Sequence, residues 1–137
     1  MPEPKARSLQ GQRLLVVEDD YFIAVELARS LEALGAEVVG PMASVADAME
    51  ALAGQSQGLD GAILDIHLGE ERVYPVADEL MARGLPFVFL TGYDAVVIPD
   101  QYAHVRRCDK PVDTRLLVQI LDNVRAGSAS GQRDRAG

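Results

Sequence analysis

The chain has 137 residues, 48% of them apolar, and carries 13 Lys and Arg against 21 Asp and Glu, a formal charge of −8. That is apolar material for one domain with a real core and too much for a disordered chain. The acidic balance makes nucleic acid a poor partner, because affinity for it rests largely on phosphate neutralisation, and no apolar run is long enough to span a membrane.

Residues 1–12 hold two prolines and little apolar content, so a flexible lead-in is expected there. They lack the apolar stretch of a secretory leader, which points to the cytoplasm. Leu14–Val17 is an unbroken apolar run bounded by polar residues, the signature of a strand buried on both faces. Ile23, Leu27, Leu31 and Leu34 then recur at helical spacing until Gly35. Glu37–Gly40 reads as a short strand. Ser44 can cap a helix carrying Val45, Ala48, Met49 and Leu52, with Asp47 at the third position of a capping-box-like start. Ala62–Leu64 is another buried strand. Val76, Ala77, Leu80 and Met81 mark a third helix ended by Gly84. Phe87–Leu90 is the plainest strand in the chain.

In the segment after Gly92, Pro99 removes a donor and restricts its predecessor, so any helix there is short and starts near Pro99. A fifth strand is expected near Val105–Cys108. Cys108, the single cysteine, reads as a buried strand residue and excludes both a disulfide framework and a cysteine-based zinc site. Leu116, Leu117, Ile120, Leu121 and Val124 form the last helical stripe. Residues 13–126 make the expected domain, and the small, polar residues 127–137 an expected disordered tail.

Five strands alternating with helices imply a single α/β domain: a doubly wound parallel sheet with helices on both faces. Ligands of such sheets bind beyond the carboxyl ends of the strands. The expected first strand ends in Glu18-Asp19-Asp20, the third in Asp65, the fourth in Thr91-Gly92 and the fifth near Lys110-Pro111. Alone, three of these have an ordinary reading: helix-start charges favoured by the dipole for Glu18-Asp19-Asp20, a turn for Thr91-Gly92 and a surface lysine for Lys110. Brought to one edge, they make a site. Clustered carboxylates need protonation or neutralisation, and hard oxygen ligands suit Mg²⁺. An Asp carboxylate can act as a nucleophile toward phosphorus. Phosphoryl transfer is mostly positioning and electrostatics. Mg²⁺ on Asp19 and Asp65, the Lys110 ammonium, the Thr91 hydroxyl and the amide after Asp65 could together neutralise the phosphoryl oxygens.

Leu15-Val16-Val17-Glu18-Asp19-Asp20, Ile63-Leu64-Asp65, Leu90-Thr91-Gly92 and Lys110-Pro111, in this order, resemble the receiver domain of two-component response regulators, and the resemblance covers roughly residues 13–124. It implies the flavodoxin-like strand order 2-1-3-4-5. Asp65 is then the phosphoacceptor. Mg²⁺ is held by Asp19, Asp65 and the His67 backbone carbonyl, with Glu18 acting mainly through water. Thr91 and Lys110 contact the phosphoryl group, and the Lys110–Pro111 peptide is cis. The implied partners are a histidine kinase or histidine phosphotransfer protein as donor and a downstream protein bound on phosphorylation. The implied chain has no output domain, and is a monomer or a weak dimer through the fourth helix, fifth strand and fifth helix. It is a signalling protein, not an enzyme with turnover. Pro86–Tyr93 also resembles a stand-alone subgroup with the motif Phe-Ala-Thr-Gly-x-Tyr, although Leu90 replaces the Ala and Tyr93 follows Gly92 directly.

One departure concerns the switch. Receivers of this kind carry Tyr or Phe three residues before the Lys-Pro pair, and here that residue is Arg107. Tyr93 and Tyr102 are the candidate substitutes. The competing readings are a pseudo-receiver that binds partners without phosphorylation, a haloacid-dehalogenase-type phosphohydrolase and a flavodoxin-like flavin binder. The hydrolase wants a second Asp where His67 stands. The flavin binder wants a phosphate cradle where three acids stand.

Overall fold

A computed structural model describes residues 8–55, 58–92 and 98–124. The expected tail at 127–137, residues 1–7 and the candidate substitute Tyr93 lie outside the described residues. The strands are β1 (Arg13–Val17), β2 (Glu37–Met42), β3 (Gly61–Asp65), β4 (His67–Leu68), β5 (Glu71–Arg72), β6 (Phe87–Thr91) and β7 (Arg107–Asp109). The helices are α1 (Tyr21–Ala33), α2 (Val45–Gln55), α3 (Tyr74–Ala82) and α4 (residues 114–124), with a 3-10 turn at Asp100–Tyr102.

β2-β1-β3-β6-β7 form one sheet in that order, and every pairing in it is parallel. Numbered by themselves, these five strands run 2-1-3-4-5, the flavodoxin-like order expected from the resemblance. Strand alternation sends side chains to two cores. Leu15, Val17, Ala62, Leu64, Phe87 and Phe89 pack on one face with Ala48 and Leu52 of α2 and Val76, Ala77 and Leu80 of α3. Leu14, Val16, Ile63, Val88, Leu90 and Cys108 pack on the other with Leu27 and Leu31 of α1 and Leu117, Ile120 and Leu121 of α4. With both faces covered, the strands carry no polar alternation, which is why they read as continuous apolar runs.

Several local expectations shift. β2 runs two residues past Gly40. Between Leu15 and Val17 the β1–β2 register absorbs one extra residue at Gly40-Pro41, a cis pair. Gly40 has φ +107, and a Cβ there would meet Met42 N at 2.8 Å and the Val16 carbonyl at 2.9 Å, so the bulge needs glycine. Its consequence is that Met42 O accepts the Glu18 amide at 2.9 Å, tying the end of β1 to β2. β7 begins at Arg107 and not at Val105, because the Val105 amide is spent on Tyr102 O at 3.0 Å, closing the turn before it. Leu9, inside the segment expected to be loose, is 1% exposed in the α1–α4 core, and its amide donates to Leu34 O at 2.9 Å. A lone Leu among polar residues gives no periodic signal, so sequence reasoning misses this anchor.

The capping at Ser44 is as expected, its Oγ accepting the Asp47 amide at 3.1 Å. Among the described residues no helix is long and apolar enough to cross a membrane.

Candidate functional site

The register of the sheet fixes which residues meet. Val17 pairs with Leu64, Asp65 with Leu90, and Thr91 with Asp109. The residues just past these pairs therefore gather at one edge. Glu18 and Asp19 follow β1, Asp65 ends β3, Thr91 ends β6, and Lys110 follows β7.

Glu18, Asp19 and Asp65 each place a carboxylate oxygen within 4.8 Å of the others. Glu18 and Asp65 are buried and Asp19 is exposed, so the cluster opens to solvent on the Asp19 side. Asp20, the third acid of the run, is not part of it. Its Oδ1 accepts the Ile23 amide at 3.1 Å and caps α1, so the ordinary helix-start reading holds for this one residue.

Lys110 supplies the cation. Its Nζ lies 2.8 Å from Glu18 Oε1 and 2.9 Å from Asp65 Oδ2. The Lys110–Pro111 peptide is cis, as the resemblance implied. Burial pulls the Lys110 pKa down, but its bonds to Glu18 and Asp65 more than offset this and leave it above the usual lysine value. Burial pushes the Glu18 carboxyl up to about 7, against the opposing pull of Lys110. One ammonium thus faces more negative charge than it cancels. The donor set is all oxygen, partly open to water and short of positive charge, and it fits a hard divalent cation such as Mg²⁺.

Backbone amides hold the carboxylates in place. Glu18 Oε2 accepts the Asp20 amide at 3.0 Å, and Asp65 Oδ1 accepts the His67 amide at 3.2 Å. The amide directly after Asp65 is engaged elsewhere: Ile66 N donates to Leu90 O at 3.3 Å. His67, half-buried, opens a small antiparallel hairpin, β4–β5, which sequence reasoning did not anticipate. At its tip the Gly69 amide donates to Asp19 Oδ2 at 2.8 Å.

Thr91 is buried at the edge, and its hydroxyl donates to Asp109 Oδ1 at 2.7 Å. Asp109 was not singled out in the sequence. Its only signal is its place opposite Thr91, which requires the register of β7.

Arg107 is exposed on β7, across from Phe89. The rings on this side come from elsewhere. Tyr102 stacks on Tyr74 at 4.7 Å between centroids, and both meet Phe89 edge-on. Tyr102 is buried and its hydroxyl donates to Asp78 Oδ1 at 2.5 Å, so this candidate substitute is packed into the core. Cys108 is buried and His104 exposed.

No protein-family model and no curated protein matches the chain. Solved structures do. The solution structure of SdrG from Sphingomonas melonis is 34% identical, with 82% of this chain and 95% of that one covered and a TM-score of 0.72. A putative response regulator from Chloroflexus aurantiacus is 25% identical, covering 85% of this chain and 99% of that one at a TM-score of 0.72. A response regulator receiver protein from Sinorhizobium medicae shares the fold at 22% identity, 88% and 98% coverage and a TM-score of 0.69.

Proposed function

The chain belongs to the receiver-domain family of two-component response regulators, and on that premise we propose that Asp65 accepts a phosphoryl group and that its phosphorylation switches the binding of a partner protein. The observation that carries this reading is the Lys110 ammonium placed between Glu18 and Asp65, with Asp19 beside them.

In the proposed step an Asp65 carboxylate oxygen attacks phosphorus. The new O–P bond forms as the bond from phosphorus to the donor breaks, and the donor leaves with that electron pair. A carboxylate needs no general base, since it is already ionised when it attacks. What the site must supply is alignment and cancellation of charge on the phosphoryl oxygens. Lys110 is one fixed charge, already within 2.9 Å of Asp65. Thr91 is the hydroxyl donor at the same edge. Asp19, Asp65 and the His67 carbonyl would hold Mg²⁺, with Glu18 acting through water, and the ion would supply Lewis-acid neutralisation of a phosphoryl oxygen. The Glu18 carboxyl, raised to about 7, carries a partial proton at neutral pH that a bound cation would displace.

The proposed donor is a phosphohistidine on a histidine kinase or phosphotransfer protein, in the cytoplasm. The test is incubation with Mg²⁺ and a small acyl phosphate. One equivalent of base-labile label is expected, lost in Asp65→Asn. Multiple-turnover phosphate release from sugar phosphates would mark a hydrolase instead. Absence of label in the wild-type protein would leave the pseudo-receiver reading.

A further inference from the structure

Thr91 and Asp109 face each other across the last pairing of the sheet. They are partners in the β6–β7 register, and the Thr91 hydroxyl donates to Asp109 Oδ1 at 2.7 Å. The same pair is tied through its backbone, with the Lys110 amide donating to Thr91 O at 2.8 Å. Two residues earlier on β7, on the same exposed side, stands Arg107, at the position where the resembled receivers carry an aromatic ring. Position 107 itself therefore carries no ring. Among the described residues, Asp109 is the group hydrogen-bonded to the Thr91 hydroxyl.

We propose that Asp109 is a positioning residue that holds the Thr91 hydroxyl in the unphosphorylated protein and sets how readily it is released to a phosphoryl group on Asp65. The proposal rests on the phosphoacceptor reading above. A hydroxyl has one proton to donate. It cannot donate to the Asp109 carboxylate and to a phosphoryl oxygen at once. Bonds to carboxylates are among the stronger hydrogen bonds, so the exchange carries a cost that the phosphorylated state must overcome. The backbone bond from Lys110 to Thr91 O involves neither side chain. Thr91 can therefore turn between staggered rotamers while the strand register and the Lys110 ammonium stay in place. The population of protein with its threonine free then scales the apparent affinity for anything that needs the hydroxyl.

The probe is beryllofluoride, a phosphoryl mimic, titrated with Mg²⁺ into the full chain and followed by amide NMR shifts. Asp109→Ala removes the acceptor, and its apparent affinity is expected to rise about tenfold over wild type, the scale of one charged hydrogen bond at a partly exposed site. Asp109→Asn keeps a neutral acceptor and is expected to fall between the two. It also covers the case in which the alanine variant folds poorly. In a Thr91→Val background the same Asp109 substitutions are expected to change nothing, which a merely structural or purely charge-based role would not produce. Unchanged or weakened affinity in both Asp109 variants overturns the proposal. So does a gain of equal size with valine at position 91. If wild-type protein neither binds the mimic nor takes label on Asp65, the phosphoacceptor reading itself fails. If wild type does both and Asp109 has no effect, only this proposal fails.

Discussion

Lys110 bridges Glu18 and Asp65, its Nζ 2.8 Å from one carboxylate and 2.9 Å from the other, and solvent barely reaches either acid. Removing the ammonium leaves two buried acids facing each other, a cost that protonation of Glu18 only partly relieves. Lys110→Met is expected to destabilise the fold by about 1–3 kcal/mol at neutral pH. It is also expected to slow label uptake at Asp65. Urea denaturation and single-turnover labelling measure the two effects separately.

Asp19 is the exposed member of the acid cluster, and the Gly69 amide holds one of its oxygens. If it helps hold Mg²⁺, the ion stabilises the folded chain by linkage. At a hundredfold excess over its Kd, that is about 2.7 kcal/mol. Addition of Mg²⁺ is therefore expected to raise the melting temperature of the wild-type protein, and chelation to reverse it. Asp19→Asn is expected to abolish most of that rise while folding normally without the ion. An equal rise in the variant would remove Asp19 from the ligand set.

Tyr102 gives the fold a pH dependence of definite sign. Burial first, then donation to Asp78, push its pKa up to about 12 from the ordinary 10.0. Between those values the folded chain keeps a proton that the unfolded chain has lost. Its contribution to stability is full below the unfolded value and is lost as pH rises toward 12. Tyr102→Phe is expected to flatten this alkaline slope and to remove one late-titrating phenol in an ultraviolet titration. At neutral pH it costs about 0.5–1.5 kcal/mol for the lost hydrogen bond.

The parallel sheet was legible because both its faces are covered. Leu14–Val17, Ala62–Leu64 and Phe87–Leu90 are short and apolar without alternation, the pattern of a strand buried on both faces. The rule that ligands sit at carboxyl strand ends then pointed to Glu18, Asp19, Asp65, Thr91 and Lys110, and the structure gathers them at one edge. What stayed hidden depends on register or on distant contacts. β4 and β5 pair only two residues each around Gly69, whose φ of +62 makes the turn. A strand of two residues has no period to detect. The Thr91–Asp109 bond requires knowing that β7 starts at Arg107. The Tyr74–Tyr102 stack joins α3 to a turn that follows β6 in the chain. The separation of Asp20 from its two acidic neighbours follows from where α1 begins, which local sequence places only within a residue or two.

Leu9 tests the part of the core that composition overlooked. It is 1% exposed against α1 and α4, and its backbone is anchored to Leu34. Leu9→Ala is expected to cost about 2–4 kcal/mol by loss of transfer energy and a residual cavity. Equilibrium denaturation measures this directly. A cost no larger than that of an exposed Leu116→Ala control would show that the segment before β1 adds nothing to the fold.

The most direct measurement is the intact mass of the protein after incubation with Mg²⁺ and acetyl phosphate, followed by borohydride reduction and peptide mapping. A nucleophilic Asp65 beside Lys110 predicts a gain of one phosphoryl group, mapped to Asp65 and absent from Asp65→Asn and from chelated samples. No gain, or an equal gain in Asp65→Asn, would contradict it.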